Sequence, residues 1–348
     1  MRRTALVCGG ALGHAWRAMA VVLRAIVFAL CCACVLNVGG AYASCTPPPP
    51  PEAQDFGFAV EASTASNEET TLDRTGRVVA PVFVNGEGPF RFIVDTGANR
   101  SVLSWPLAYR LGLTEEEEGE VHSIDGVETA PFTGVESLTH GALSMQDVRL
   151  PILRGRVFAG EAGLLGVDGM AGRRLRMDLE DGCIEIVDAR GAPRLRGNWI
   201  TVRGELRFER LLLARARVGN VSIRVLIDTG ADSSFGNLAL REALIGVRGR
   251  RTDIDSYTAG DLLVLDQAVL IPELRMGELG VSNVLAYIGD YHIFNVWGLG
   301  DEPTLLLGMN VISQTREIAI DYERALLHFR LPDEERDGIG IDLRGGWH

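Results

Sequence analysis

The sequence predicts an all-β protein built from two similar lobes with short helices, and three observations predict it. First, the run Phe92-Ile93-Val94-Asp95-Thr96-Gly97-Ala98-Asn99 recurs 133 residues later as Val225-Leu226-Ile227-Asp228-Thr229-Gly230-Ala231-Asp232. Three apolar residues ahead of each Asp read as a strand buried on both faces, and Thr-Gly-Ala demands a tight turn that leaves the acid at the strand's end. Second, each copy lies inside a longer repeat of strands and turns. Third, 348 residues suffice for two separate cores.

The N-terminal segment reads as an export signal over residues 1–43. Arg2, Arg3, Arg17 and Arg24 precede an apolar run over 25–38, and Ala41-Tyr42-Ala43 supplies the small-x-small pattern of a cleavage site. Met19 would give a more compact signal and is an alternative start. The apolar run is short for a membrane span, so no stable span is expected. The expected destination is the bacterial periplasm or the exterior. A lipoprotein ending at Cys45 is the weaker alternative, because Tyr42 stands where such signals carry Leu, Val or Ile. Residues 44–75 open with Pro47 to Pro51 and read as an extended linker, or as a short pro-segment over the active site.

Lobe one is expected over 76–190, lobe two over 198–332, and a tail over 333–348. Strands over 78–84 and 90–94 meet through Asn85-Gly86-Glu87-Gly88, and strands over 211–218 and 222–227 through Gly219-Asn220. A hairpin thus feeds each Asp-Thr-Gly turn. Short helices follow, at Ser104-Trp105-Pro106 into 107–113 and over 237–244. Gly141 and Gly277 mark the bends of a second hairpin in each lobe. Leu164-Leu165-Gly166 is then echoed by Leu306-Leu307-Gly308, and each lobe closes with strands, over 174–187 and 317–331.

Composition excludes several classes. Hydrophobic content of 47% and charged content of 23% are those of a globular chain. All 34 positive side chains are arginine, and the net charge of −12 carries no basic stripe, which argues against nucleic acid or anionic membrane as a partner. No acid precedes Ser44, so loss of the signal's four arginines takes the net charge to −16. Of six cysteines, only Cys45 and Cys183 lie downstream of the cleavage pattern, which allows one disulfide at most. No Cys or His spacing suggests a metal site, and His122, His140 and His292 read as structural. Glu115 to Glu118 reads as a solvated stretch, and Arg248, Arg250 and Arg251 as an exposed basic cluster. Residues 289–300, with Tyr291, Phe294 and Trp297, have no counterpart in lobe one.

Both copies resemble the apolar-apolar-Asp-Thr-Gly-Ala signature of the retropepsin-like aspartic peptidases. The resemblance covers about 76–332 and implies a bilobal retropepsin- or pepsin-like β-barrel fold with both halves of an active site in one chain. It implies a catalytic dyad of Asp95 and Asp228, acting on a peptide or protein substrate in a monomer without metal or cofactor. Thr96 and Thr229 would exchange hydrogen bonds between the lobes. Gly97 and Gly230, lacking a Cβ, would permit that approach. The Leu-Leu-Gly segments would cross behind the loops in a ψ-shaped arrangement. Asp232 matches the acid that helps hold the substrate backbone in retroviral members, and Asn99 departs from it, so substrate binding is expected to be asymmetric. The flap tips are expected at 123–127 and 256–260, with Gly126 and Tyr257 against the substrate.

Two carboxyls within hydrogen-bond reach cannot both ionise cheaply and so share one proton, which leaves one acid and one base. A catalytically silent peptide-binding module of the same fold is the alternative, opposed by the survival of both acids. Phosphoryl transfer is discounted, since the second position after each Asp is glycine rather than a second acid.

Overall fold

The structure, a computed structural model, describes residues 72–247 and 268–332 except 74 and 125, together with 49 and 340–342. The expected signal, nearly all of the linker, most of the tail, the second flap with Tyr257, and Arg248, Arg250 and Arg251 lie outside the described residues.

Lobe one begins with β1 (Val79–Val84) and β2 (Glu87–Val94), an antiparallel pair. The turn is only Asn85-Gly86, both with positive φ (51° and 77°), where the sequence had suggested four residues. Asn-Gly tolerates two consecutive left-handed residues and so closes the tightest hairpin. Then come β3 (Val102–Ser104) and the short α1 (Trp105–Arg110). Ser104 caps this helix, accepting from Leu107 N at 3.4 Å, and a proline sits in the first turn, where its missing N–H is not needed. β4 (Glu118–His122), β5 (Val127–His140), β6 (Leu143–Leu153) and β7 (Gly163–Leu165) complete the lobe. Hydrogen bonding runs β1-β2-β7-β3-β6-β5 and returns to β1, a closed barrel of six strands. β4 lengthens one edge of β5 into a hairpin that turns at Ser123 to Gly126.

The chain continues through β8 (Arg173–Asp178), β9 (Cys183–Asp188) and β10 (Ile200–Arg207). Lobe two repeats the first design: β11 (Leu211–Val218), β12 (Val221–Ile227), β13 (Ser234–Gly236), α2 (Leu238–Ala243), β14 (Ala268–Met276), β15 (Leu279–Ile288), α3 (His292–Val296), β16 (Thr304–Leu307) and α4 (Met309–Ile312). Its barrel runs β11-β12-β16-β13-β15-β14 and closes on β11, strand for strand as in lobe one. The protein is therefore all-β and two-barrelled, with short helices. The alternating burial of β11 and the continuous burial of β16 are those of barrel-wall and fully enclosed strands.

The closing strands of the two lobes do not end separately. β17 (Glu317–Asp321) and β18 (Leu326–Arg330) join β8, β9 and β10 in a sheet ordered β9-β8-β17-β18-β10. β8 of lobe one pairs antiparallel with β17 of lobe two, from Glu317 opposite Asp178 to Asp321 opposite Arg174. Glu317, 1% exposed, is bound by Arg176 from lobe one at 2.6 Å and by Arg330 at 2.5 Å. Each arginine keeps partial solvent contact, so this buried acid is paired without burying a full cation. β10 was not foreseen from the sequence, and neither was the last short strand, β19 (Gly340–Asp342), which pairs with β15. Cys183 at the start of β9 is disulfide-bonded.

Candidate active site

Each Asp-Thr-Gly turn is held from behind by the same construction. β2 lies parallel to β7 with Val94 opposite Leu165, and Asp95 N donates to Leu165 O at 2.9 Å. β12 lies parallel to β16 with Ile227 opposite Leu307, and Asp228 N donates to Leu307 O at 3.0 Å. These are the two ψ-shaped crossings, and the glycine after each Leu pair is needed there. A Cβ at Gly166 would stand 2.6 Å from the Arg100 carbonyl carbon, and one at Gly308 would strike the Ser233 backbone.

A serine six residues after each Asp ties loop to crossing, which the sequence reading missed. Ser101 Oγ donates to Asp168 Oδ1 at 2.7 Å and accepts from Gly166 N at 3.1 Å. Ser234 Oγ donates to Asn310 Oδ1 at 2.7 Å and accepts from Gly308 N at 3.0 Å. Both serines are fully buried, so each hydroxyl satisfies an amide that has no water to turn to. The signal was present, since Ser stands at the same offset in both copies of the repeat.

The two turns then meet. Thr96 N donates to Thr229 Oγ1 at 3.2 Å, and Thr229 N donates to Thr96 Oγ1 at 3.1 Å. Each hydroxyl passes its own proton to the backbone of the other lobe, Thr96 to Ile227 O at 2.7 Å and Thr229 to Val94 O at 2.5 Å. Four buried hydrogen bonds thus lock the loops together. Gly97 is packed so closely on Asp228 that a Cβ would stand 2.5 Å from its Cγ, and a methyl on Gly230 would collide with the Asp95 carboxyl in the same way. Each glycine makes room for the other lobe's acid.

The result is two half-buried carboxyls facing one another, Asp95 from lobe one and Asp228 from lobe two. Asp95 Oδ1 accepts from Gly97 N at 2.9 Å. Asp228 Oδ1 accepts from Gly230 N at 3.0 Å and from Ala231 N at 3.2 Å. Burial raises the Asp95 carboxyl above the ordinary range, against the pull of the Gly97 amide and Arg77. Asp228 is pushed up to about 8 by burial and by the neighbouring Asp95 charge. Such a pair holds one proton across a wide span of pH, and in that state it can accept a proton at one oxygen while donating one at another.

The other sequence-predicted site residues are more dispersed. Asp232 and Asn99 are both exposed beyond the turns, and the Asp232 backbone oxygen accepts from Asn310 N at 2.9 Å. Gly126 lies at the tip of the β4–β5 hairpin, its carbonyl accepting from Ser123 N at 2.8 Å. His122 and His292, for which the sequence offered no relation, come together: His122 Nδ1 lies 2.9 Å from His292 Nε2, with the rings stacked at 5.2 Å. This contact joins the hairpin of lobe one to α3 of lobe two, the helix inside the segment that lobe one lacks. The aromatic residues of that segment serve burial. Tyr291 packs edge-on against Phe235 at 5.4 Å, and Trp297 stacks on Phe208 at 5.8 Å. His140 is structural as expected, buried with Nδ1 2.7 Å from Pro81 O, and burial lowers its proton affinity. Among the described residues no group of three or more His, Cys, Asp or Glu could hold a metal, and no helix is long and apolar enough to cross a membrane.

The sequence model of the family described as aspartyl protease matches residues 80–168 and again residues 214–311, one match on each barrel. No curated protein matches the chain.

Proposed function

The chain belongs to the aspartyl protease family, and we propose that it is an exported endopeptidase that hydrolyses peptide bonds with a water activated by Asp95 and Asp228. The observation that carries this reading is the interlock of the two turns, which brings one acid from each barrel face to face in a single chain.

The chemistry follows from the shared proton. The ionised carboxylate takes a proton from a water between the two acids, and the water oxygen bonds to the peptide carbonyl carbon. The carbonyl electron pair moves onto its oxygen, which takes the proton of the other acid. Collapse of the tetrahedral species breaks the C–N bond. The nitrogen leaves with the proton taken from water, and the diol returns its proton to the second acid. Atoms and charges balance without a covalent enzyme intermediate. Asp232, Asn99 and the β4–β5 hairpin around Gly126, with Tyr257 on the second flap, are the proposed substrate contacts. Because both acids come from one chain, a monomer suffices. The N-terminal basic and apolar segment supports export.

Cleavage of a mixed peptide library by the purified protein tests the reading, with Asp95→Asn and Asp228→Asn in parallel. Each substitution is expected to lower kcat by about a hundredfold or more, the scale of lost acid–base catalysis, and chelator is expected to change nothing. A parent that binds peptides without cutting any, with binding unaltered in both variants, would make the chain a silent peptide-binding module.

A further inference from the structure

The barrels are near copies, so their two acids should be near equivalents, each accepting from the glycine amide two residues on. One buried cation breaks that equivalence. Arg77, just ahead of β1, is 7% exposed. Its Nε donates to Asp73 Oδ2 at 2.7 Å and its Nη1 to Gly230 O at 3.3 Å. Gly230 is the residue whose α-carbon abuts the Asp95 carboxyl. The guanidinium therefore stands one peptide group away from Asp95.

Among the described residues, lobe two carries no such cation at the equivalent place. Val79 opposes Ile93 in the first hairpin as Leu213 opposes Leu226 in the second, and Ile93 and Leu226 each stand two residues before their Asp. The position equivalent to Arg77 is therefore Leu211, a fully buried apolar residue. Asp73, the anion that partners Arg77, is itself engaged by Thr75 N at 2.8 Å and Arg77 N at 2.9 Å. It takes Nε and Nη2 and leaves Nη1 to Gly230 O, so of the two charges it is the cation that contacts the turn of lobe two. Tyr322, after β17, is a further titratable group within the field of Asp95. Burial and the Asp95 charge both raise its hydroxyl, so it stays neutral and adds no competing charge.

We infer that Arg77 is a positioning residue that makes Asp95 the ionised, water-activating member of the dyad and leaves Asp228 as the proton donor to the substrate carbonyl. This assignment of roles rests on the dyad reading above. The downward pull of Arg77 on Asp95, absent for Asp228, agrees with it.

Carboxyl titration by carbon-13 NMR tests the inference without requiring activity. With each acid isolated, Asp95 in Asp228→Asn is expected to titrate about one pH unit below Asp228 in Asp95→Asn, the low end of the effect of a nearby cation because Asp73 offsets part of the charge. Adding Arg77→Gln should close that gap, and Arg77→Lys, which keeps the charge, should preserve it. Equal titration of the two acids, or a gap that survives Arg77→Gln, would overturn the inference while leaving the peptidase reading intact. If Arg77→Gln does not fold, Asp73→Asn decides instead. Freeing the guanidinium of its counter-charge should lower the Asp95 titration further, and an unmoved or raised titration refutes the role of Arg77.

Discussion

At the scale of single residues, the site depends on atoms that are absent as much as on those present. Gly97 and Gly230 let each turn press against the opposite acid, and any side chain there drives the lobes apart. The threonines have the complementary task of holding that approach. Thr96→Val keeps the shape but removes the acceptor for Thr229 N and the donor to Ile227 O, both buried. Leaving two such groups unpaired should cost about 3 kcal/mol, read as a lower midpoint in chemical denaturation, and an unchanged midpoint would show that the cross-lobe bonds contribute nothing. These roles were legible through the family resemblance, which implies paired threonines and, beside them, glycines whose lack of a Cβ permits the approach. Arg77 was not. Its importance comes from a contact with Gly230, 153 residues away, that no local pattern announces.

At the scale of elements, the hairpins and crossings were readable because turn residues punctuate them. Asn85-Gly86, Gly141, Gly219 and Gly277 all carry the positive φ that their turns require. Elements defined by their partners were not readable. β10 alternates only weakly and owes its place to pairing with β11 on one side and β18 on the other. The link between the β4–β5 hairpin and α3 was equally hidden, since His122 and His292 are far apart in the chain. With this contact as a latch, His122→Ala is expected to quicken the amide exchange of 118–122 and 127–130 severalfold. Exchange left unchanged by the substitution would refute the latch.

At the scale of the whole molecule, two of the connections between the barrels stand out. One is the interlocked pair of turns, and the other is the sheet in which β8 pairs with β17 around the buried Glu317. The sequence foretold two lobes but not that their closing strands pair with each other. Strand patterning shows which face is buried and says nothing of which neighbour supplies the edge. With both acids in one chain, a single polypeptide contains every group the proposed chemistry uses. Its central requirement is one proton shared by two carboxyls, and the pH dependence of kcat/KM for peptide cleavage tests that most directly. When both acids are protonated no base remains, so activity should rise as the first ionises. When both are ionised no proton donor remains, so activity should fall as pH passes about 8, where Asp228 loses its proton. The account predicts a bell with both limbs, lost in Asp95→Asn and in Asp228→Asn. A rate that keeps rising through pH 9, or that survives either substitution, would contradict it.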